Sequence, residues 1–175
     1  MGLLRYFRPL GTIQVDASAA DGVRALPQVL QDASPHLREH SLEVQLPFLQ
    51  RVLGEFTLVP FSIGSARPEA VAEVLNALWG GAETLILIST DLSHYLPYDE
   101  AQLLDRRTAE RVLALDGPVE PECACGSVAL NGLLHLARQR GLTAELLDLR
   151  NSGDTAGDKD RVVGYGAFAL REASA

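Results

Sequence analysis

The chain has 175 residues, 47% of them hydrophobic and 22% charged, which is the balance of a globular protein with a real core and not of a disordered chain. A formal net charge of -8 leaves no basic surplus to neutralise phosphates, which argues against nucleic acid as a main partner. No run approaches the roughly 18 apolar residues of a membrane span, and the opening residues Met1 to Tyr6 lack the apolar region of a signal peptide, so no membrane partner and a cytoplasmic location are expected.

Residues 1–16 read as an extended start punctuated by Pro9 and Gly11, with a short strand over Thr12 to Val15. A helix is predicted over residues 18–31, with Ser18 as its cap and Val23, Leu26 and Leu30 inward. In the next segment Leu42, Leu46, Leu49 and Leu53 share one helical face. Pro47 interrupts that face, and must kink the helix or sit in its first turn. Glu39 and His40 lie at the start of this helix. A solvated first turn with a favourable acidic charge accounts for Glu39, whereas His40 is open to either a structural or a functional reading.

Phe56 to Ile63 reads as a strand, at an edge or bulge because of Pro60. A helix follows over Pro68 to Trp79, stopped by Gly80 and Gly81. The stretch from Leu85 to Tyr95 then organises the chain. Leu85 to Ile88 is aliphatic throughout, as in a buried strand, and gives way abruptly to Ser89, Thr90, Asp91, Ser93 and His94. In open α/β sheets ligands bind where strands end in this way. Asp91 is close enough in sequence to His94 to accept a proton from the imidazole and fix its tautomer. The alternative is that Asp91 caps the following helix and His94 fills a polar rim.

That helix is predicted over Tyr98 to Leu115, with Leu103, Leu104, Val112 and Leu113 inward. A further helix opens at Gly126 and Ser127, with Leu130, Leu133, Leu134 and Ala137 as its apolar positions. Cys125 stands just outside this N-terminus, where unpaired N–H groups and the helix dipole favour a thiolate that can act as nucleophile or soft metal ligand. A small packed thiol is the alternative. Cys123 lies too near for an ordinary disulfide with Cys125, so free thiols are expected. His135 falls mid-helix and reads as structural or exposed. Thr143 to Leu149 and Val162 to Leu170 are strands around a polar, Gly-rich loop, with close packing expected at the glycines of the second. Alternating helices and strands predict an α/β fold, with a mixed central sheet and helices on both faces.

Four stretches in order resemble one family: Glu39 to Pro47, Ser89 to His94, Cys125-Gly126 with its helix, and Asn151 to Thr155 with Val163 to Tyr165. The resemblance is to the MEMO family, including members called AmmeMemoRadiSam system protein B, and it covers the chain as a single domain, 1–175. It implies a fold like that of class III extradiol dioxygenases, which are non-haem iron enzymes, and a metal site of two histidines and one cysteine. By position, Cys125 matches the cysteine ligand. His94 matches a nearby acid/base histidine with Asp91 before it, and Glu39 and His40 match an acidic-His pair on the same cleft. The implied metal is iron or copper, held in a site that is incomplete here, because the family's two ligand histidines have no counterpart in this sequence. Roughly the first third of a full-length member is expected to be absent. An exposed face would then favour self-association, or a small-molecule or protein partner that the residues do not name. Catalysis does not follow from so partial a site. The rival readings are a thiol hydrolase or transferase, with Cys125 attacking, His94 or His40 as base and Asp91 orienting it, and a non-catalytic binding module.

Overall fold

The computed structural model describes residues 5–8, 10–37, 39–155 and 157–172. It is a mixed α/β structure whose described strands form two three-stranded sheets. By compactness the chain divides into two units. One runs to Gly64 and takes in Ala77–Ser89; the other is Ser65–Asn76 with the chain from Thr90 onward.

In the first unit, β1 (Arg5–Arg8) pairs antiparallel with β2 (Gly11–Val15), and β2 pairs in parallel with β3 (Thr57–Leu58). Helix α1 is Ala17–Val23, much shorter than the sequence pattern suggests. Its cap is Asp16, whose carboxylate accepts the Ala19 N–H at 2.9 Å, and not Ser18. Beyond Val23 the chain continues in turns, closed by Leu26 N–H to Val23 O and Val29 N–H to Leu26 O. Pro27 has no N–H to extend a helix through this region. Helix α2 is Ser41–Leu53, and Pro47 lies in its interior, where it brings no N–H to the helix ladder. Leu46 of the expected apolar face is fully buried. The strand expected over Phe56 to Ile63 is reduced to the two residues of β3.

The stretch from Leu85 to Ile88 forms no ladder, contrary to expectation. Its apolar residues predict a strand, but a strand requires a neighbour, and none pairs with it among the described residues.

The second unit holds most of the buried apolar residues. Helix α3 (Pro68–Ala77) buries Val71, Ala72 and Val74. Strand β4 (His94–Leu96), not anticipated from the sequence, pairs antiparallel with β6 (Val162–Glu172). Strand β6 in turn pairs with β5 (Leu142–Asn151) from Leu142↔Glu172 to Asn151↔Gly164, with a register shift between Leu146 and Asp148. Helix α4 (Tyr98–Leu113) packs on β5 and β6. Its inward positions are Ala101, Asp105, Thr108, Ala109 and Val112; Leu103 and Leu113 face out. Small and β-branched side chains and one carboxylate, rather than Leu103 and Leu113, therefore fill its buried positions, while Leu104 is half-buried. Helix α5 (Ser127–Arg140) buries Leu130, Leu133, Leu134 and Ala137 as its pattern predicts. It ends on Gly141, which adopts the left-handed conformation (φ 64°) that caps helices.

Candidate functional site

The site residues of the second unit gather where the segment Thr90–His94 passes the N-terminus of α5. Thr90 is the junction. Its hydroxyl donates to the Asp91 carbonyl at 2.8 Å and accepts the Gly126 N–H at 2.7 Å. The Cys125 sulfur lies 3.5 Å from Thr90 Oγ1 and 3.9 Å from the Asp91 carbonyl oxygen. The Cys125 N–H donates to that same carbonyl at 3.3 Å, and the Ser127 N–H to Ala124 O at 3.0 Å. The amides of Cys125, Gly126 and Ser127 are thus already engaged. The expectation of unpaired N–H groups beside Cys125 fails at these positions, because a loop hydroxyl and a loop carbonyl cap the helix. Cys125 is exposed, and both thiols are free.

His94 stands on the other side of Asp91. Its Nε2 is 3.6 Å from Asp91 Oδ2, which is ion-pair range and longer than a hydrogen bond. Asp91 does not cap α4, whose N-cap is Pro97. One residue therefore meets both groups: the Asp91 carboxylate faces the imidazole and its carbonyl faces the thiol.

Two residues that sequence reasoning passed over shape this loop. Asp105, in the middle of α4 and only 2% exposed, accepts the Ser93 N–H at 3.0 Å and the Ser93 hydroxyl at 3.1 Å. Burial pushes its carboxyl above the usual range, opposed by the two Ser93 bonds and the nearby His94. Gly164 makes room for it, since a Cβ there would lie 2.0 Å from Asp105 Oδ2. Leu92 N–H to Gly164 O and Gly164 N–H to Ser93 O, at 2.9 and 2.8 Å, tie the same loop to β6. Tyr95 has φ 58°, in the left-handed region, at the register irregularity between His94 and Leu96. A bulge of this kind re-aims the side chains on either side of it. The Tyr95 ring meets His94 edge-on at 5.9 Å and carries Arg161 over its face at 4.9 Å. A carboxylate at an inward helical position was the one sequence signal for Asp105; nothing marked Tyr95.

Glu39 and His40 belong to the first unit. Glu39 Oε1 accepts the N–H groups of His40 and Ser41, both at 2.8 Å, and these bonds hold its carboxyl below the usual range. His40 is exposed and pairs with Glu43 at 3.2 Å. His135 lies 4.0 Å from Glu69, away from the Thr90–His94 segment in sequence and bonding. The Gly-rich loop after β5 is a capped turn: Asn151 and Asp154 bond reciprocally, and Tyr98 OH donates to Asp154 Oδ1 at 2.5 Å.

Among the described residues no three or more His, Cys, Asp or Glu side chains are grouped to hold a metal ion. Cys125 stands as a single soft donor, and His94 is turned to Asp91. These residues do not supply the three-ligand set that the resemblance implies.

No described helix is long and apolar enough to cross a membrane. The profile of the Memo-like protein family matches residues 3–169. A MEMO1 family protein of Methanopyrus kandleri is 37% identical over 93% of this chain and 63% of its own length. Relatives of the same description in Methanosarcina barkeri and Archaeoglobus fulgidus are 36% and 32% identical, over 93% and 95% of this chain and 66% and 67% of theirs. The chain spans less than two thirds of the Methanopyrus protein. With most of its length matched by the family profile and by relatives above 30% identity, the chain belongs to the Memo-like family.

Proposed function

We propose that the chain carries part of a metal-binding cleft related to that of non-haem iron dioxygenases. Cys125 is one metal ligand, His94 is the acid/base group, and Asp91 orients His94. The observation behind this is that the Cys125 sulfur and the His94 ring both approach Asp91, one at its carbonyl and one at its carboxylate. An imidazole beside a carboxylate is suited to moving a proton, and an exposed thiol beside it to holding a soft metal such as copper or iron. Bound iron or copper would supply Lewis-acid or redox chemistry. Because no three His, Cys, Asp or Glu side chains are grouped among the described residues, the chain alone is a weak metal binder, and no metal-dependent step follows from these residues. The dioxygenase-like central sheet belongs to this proposal too, and rests on family likeness alone.

The test is metal uptake. Equilibrium dialysis against iron(II) or copper(I) should show weak binding, lost in Cys125→Ala and kept in His94→Ala. Uptake unaffected by Cys125→Ala would overturn the assignment. Iodoacetamide reactivity across pH addresses the thiol-enzyme reading. Fast labelling well below pH 8 that survives excess metal, and slows in His94→Ala, would favour Cys125 as nucleophile instead. A non-catalytic binding module would show neither metal uptake nor rapid labelling.

A further inference from the structure

We infer that Arg161 and Tyr95 form a binding subsite beside His94 for a small planar organic acid, with the carboxylate on Arg161 and the ring against Tyr95. The inference rests on the reading of His94 as the acid/base group and names a substrate class for it. Three side chains of the second unit stand in series. The Tyr95 ring meets the His94 ring edge-on at 5.9 Å, and the Arg161 guanidinium carbon lies 4.9 Å from the Tyr95 ring centre. The backbone sets this order. His94 pairs with Val163 and Leu96 with Val162, so Arg161 enters just ahead of the ladder and Tyr95 falls between the two pairs. Tyr95 has φ 58°, strained for so large a side chain, and is 62% exposed. A ring so open gains little from the core in return for that strain. What the conformation does is hold the ring between an imidazole and a guanidinium.

Arg161 is the charged end. It is exposed, and among the described residues its guanidinium has an aromatic neighbour but no ion pair. Lys159, two residues earlier, differs. It lies 4.1 Å from the Tyr98 ring centre, and Asp154 answers its charge: the Tyr98 and Asn151 hydrogen bonds hold that carboxyl below the usual range, and Lys159 lowers it further. A ring face attracts a guanidinium but leaves most of its five N–H donors unfilled. Those donors make the planar fork that takes a carboxylate through two bonds. The loop under Arg161 is fixed. Asp158 Oδ1 accepts the N–H groups of Asp160 and Arg161 at 3.1 and 3.4 Å, and the Lys159 carbonyl accepts the Tyr98 N–H at 3.0 Å. The segment carrying the guanidinium is thereby tied to the segment carrying the imidazole. Charge also sets the ligand's direction. Asp91 Oδ2 is 3.6 Å from His94 Nε2, so a second carboxylate is repelled at the imidazole and drawn to Arg161. The uncharged part of the acid then lies on Tyr95 and reaches toward His94.

The experiment is an NMR titration of the whole chain, free of metal, with benzoate as the probe and the His94 ring and Arg161 Nε–H signals as the readout. Benzoate should shift both signals saturably and with one dissociation constant. Benzyl alcohol, which keeps the ring without the charge, and acetate, which keeps the charge without the ring, should each bind about 10-fold more weakly or worse. Arg161→Gln should weaken benzoate binding, read at His94, by a similar factor while the β5–β6 amide signals stay in place, showing that the variant still folds. Arg161→Lys, which keeps the charge but not the fork, should also bind more weakly than the parent chain. Benzyl alcohol or acetate binding as tightly as benzoate, no shift of the His94 signals, or benzoate affinity unchanged in both Arg161 variants would each overturn the proposal. Metal is absent and Cys125 is not read, so a failed titration leaves the metal-uptake result standing, and failed metal uptake leaves the titration standing.

Discussion

Asp105 is a buried carboxylate engaged by one backbone and one hydroxyl donor, and its worth is testable. In Asp105→Ala the Ser93 N–H is left without its partner inside the protein, a loss of about 1–3 kcal/mol by urea unfolding. The pH dependence has a definite sign. Burial raises the folded-state pKa, so the unfolded chain gives up this proton more readily. Stability from this group is therefore full below the ordinary carboxylate range and falls as pH rises through the raised value. Asp105→Asn, which cannot ionise, should show a smaller decline in unfolding free energy between pH 4 and 7 than the parent chain. Glu39 has the opposite sign. Its carboxylate is stabilised by the Ser41 and His40 amides, so its contribution is present above the unfolded pKa and vanishes as pH falls through the lowered one. Glu39→Gln should destabilise the chain slightly at pH 7, since the amide oxygen accepts the same two N–H groups without charge, and the difference should shrink as pH falls through the carboxylate range.

Helix-to-helix contact in the second unit is set by one missing side chain. A Cβ on Gly132 of α5 would lie 2.3 Å from Val71 Cγ1 of α3. Gly132→Ala should therefore destabilise by about 1–3 kcal/mol through overpacking, outweighing its better helix propensity, as read from the thermal midpoint. At this scale the sequence was readable where a pattern is local. The apolar period of α5, the glycine that ends it, and the strands around the last loop all follow from neighbouring residues. It misled where the outcome depends on a distant partner. Thr57–Leu58 is all that remains of a longer expected strand, and Leu85–Ile88 forms none, because apolar content does not supply a neighbour. The same limit governs the site. Asp91, His94 and Cys125 stand out by residue type after an aliphatic run and at a helix start, whereas Asp105 and Tyr95 act through packing and a bulge that no local pattern encodes. The glycines of β6 did signal close approach, but not that Asp105 was the group approaching.

For the molecule as a whole, burial is unevenly shared. Ile13, Val23 and Leu46 are the fully buried apolar residues described in the first unit, while the second has such residues on α3, α4, α5, β5 and β6. Amides of α4, α5, β5 and β6 should accordingly show the slowest hydrogen exchange, and those of α1 and α2 should open at lower free energy. Comparable protection in α2 and α5 would contradict this division.

Thr90 has a consequence of its own. A hydroxyl offers one proton and two lone pairs. The proton goes to the Asp91 carbonyl and one lone pair receives the Gly126 N–H, so what remains toward the sulfur can only accept. Exchanging this oxygen for a methyl group, as in Thr90→Val, would unfasten the first turn of α5 from the strip of chain bearing the imidazole. One atom, thirty-six positions before Gly126 in sequence, thus sets how closely the thiol and the imidazole keep their spacing.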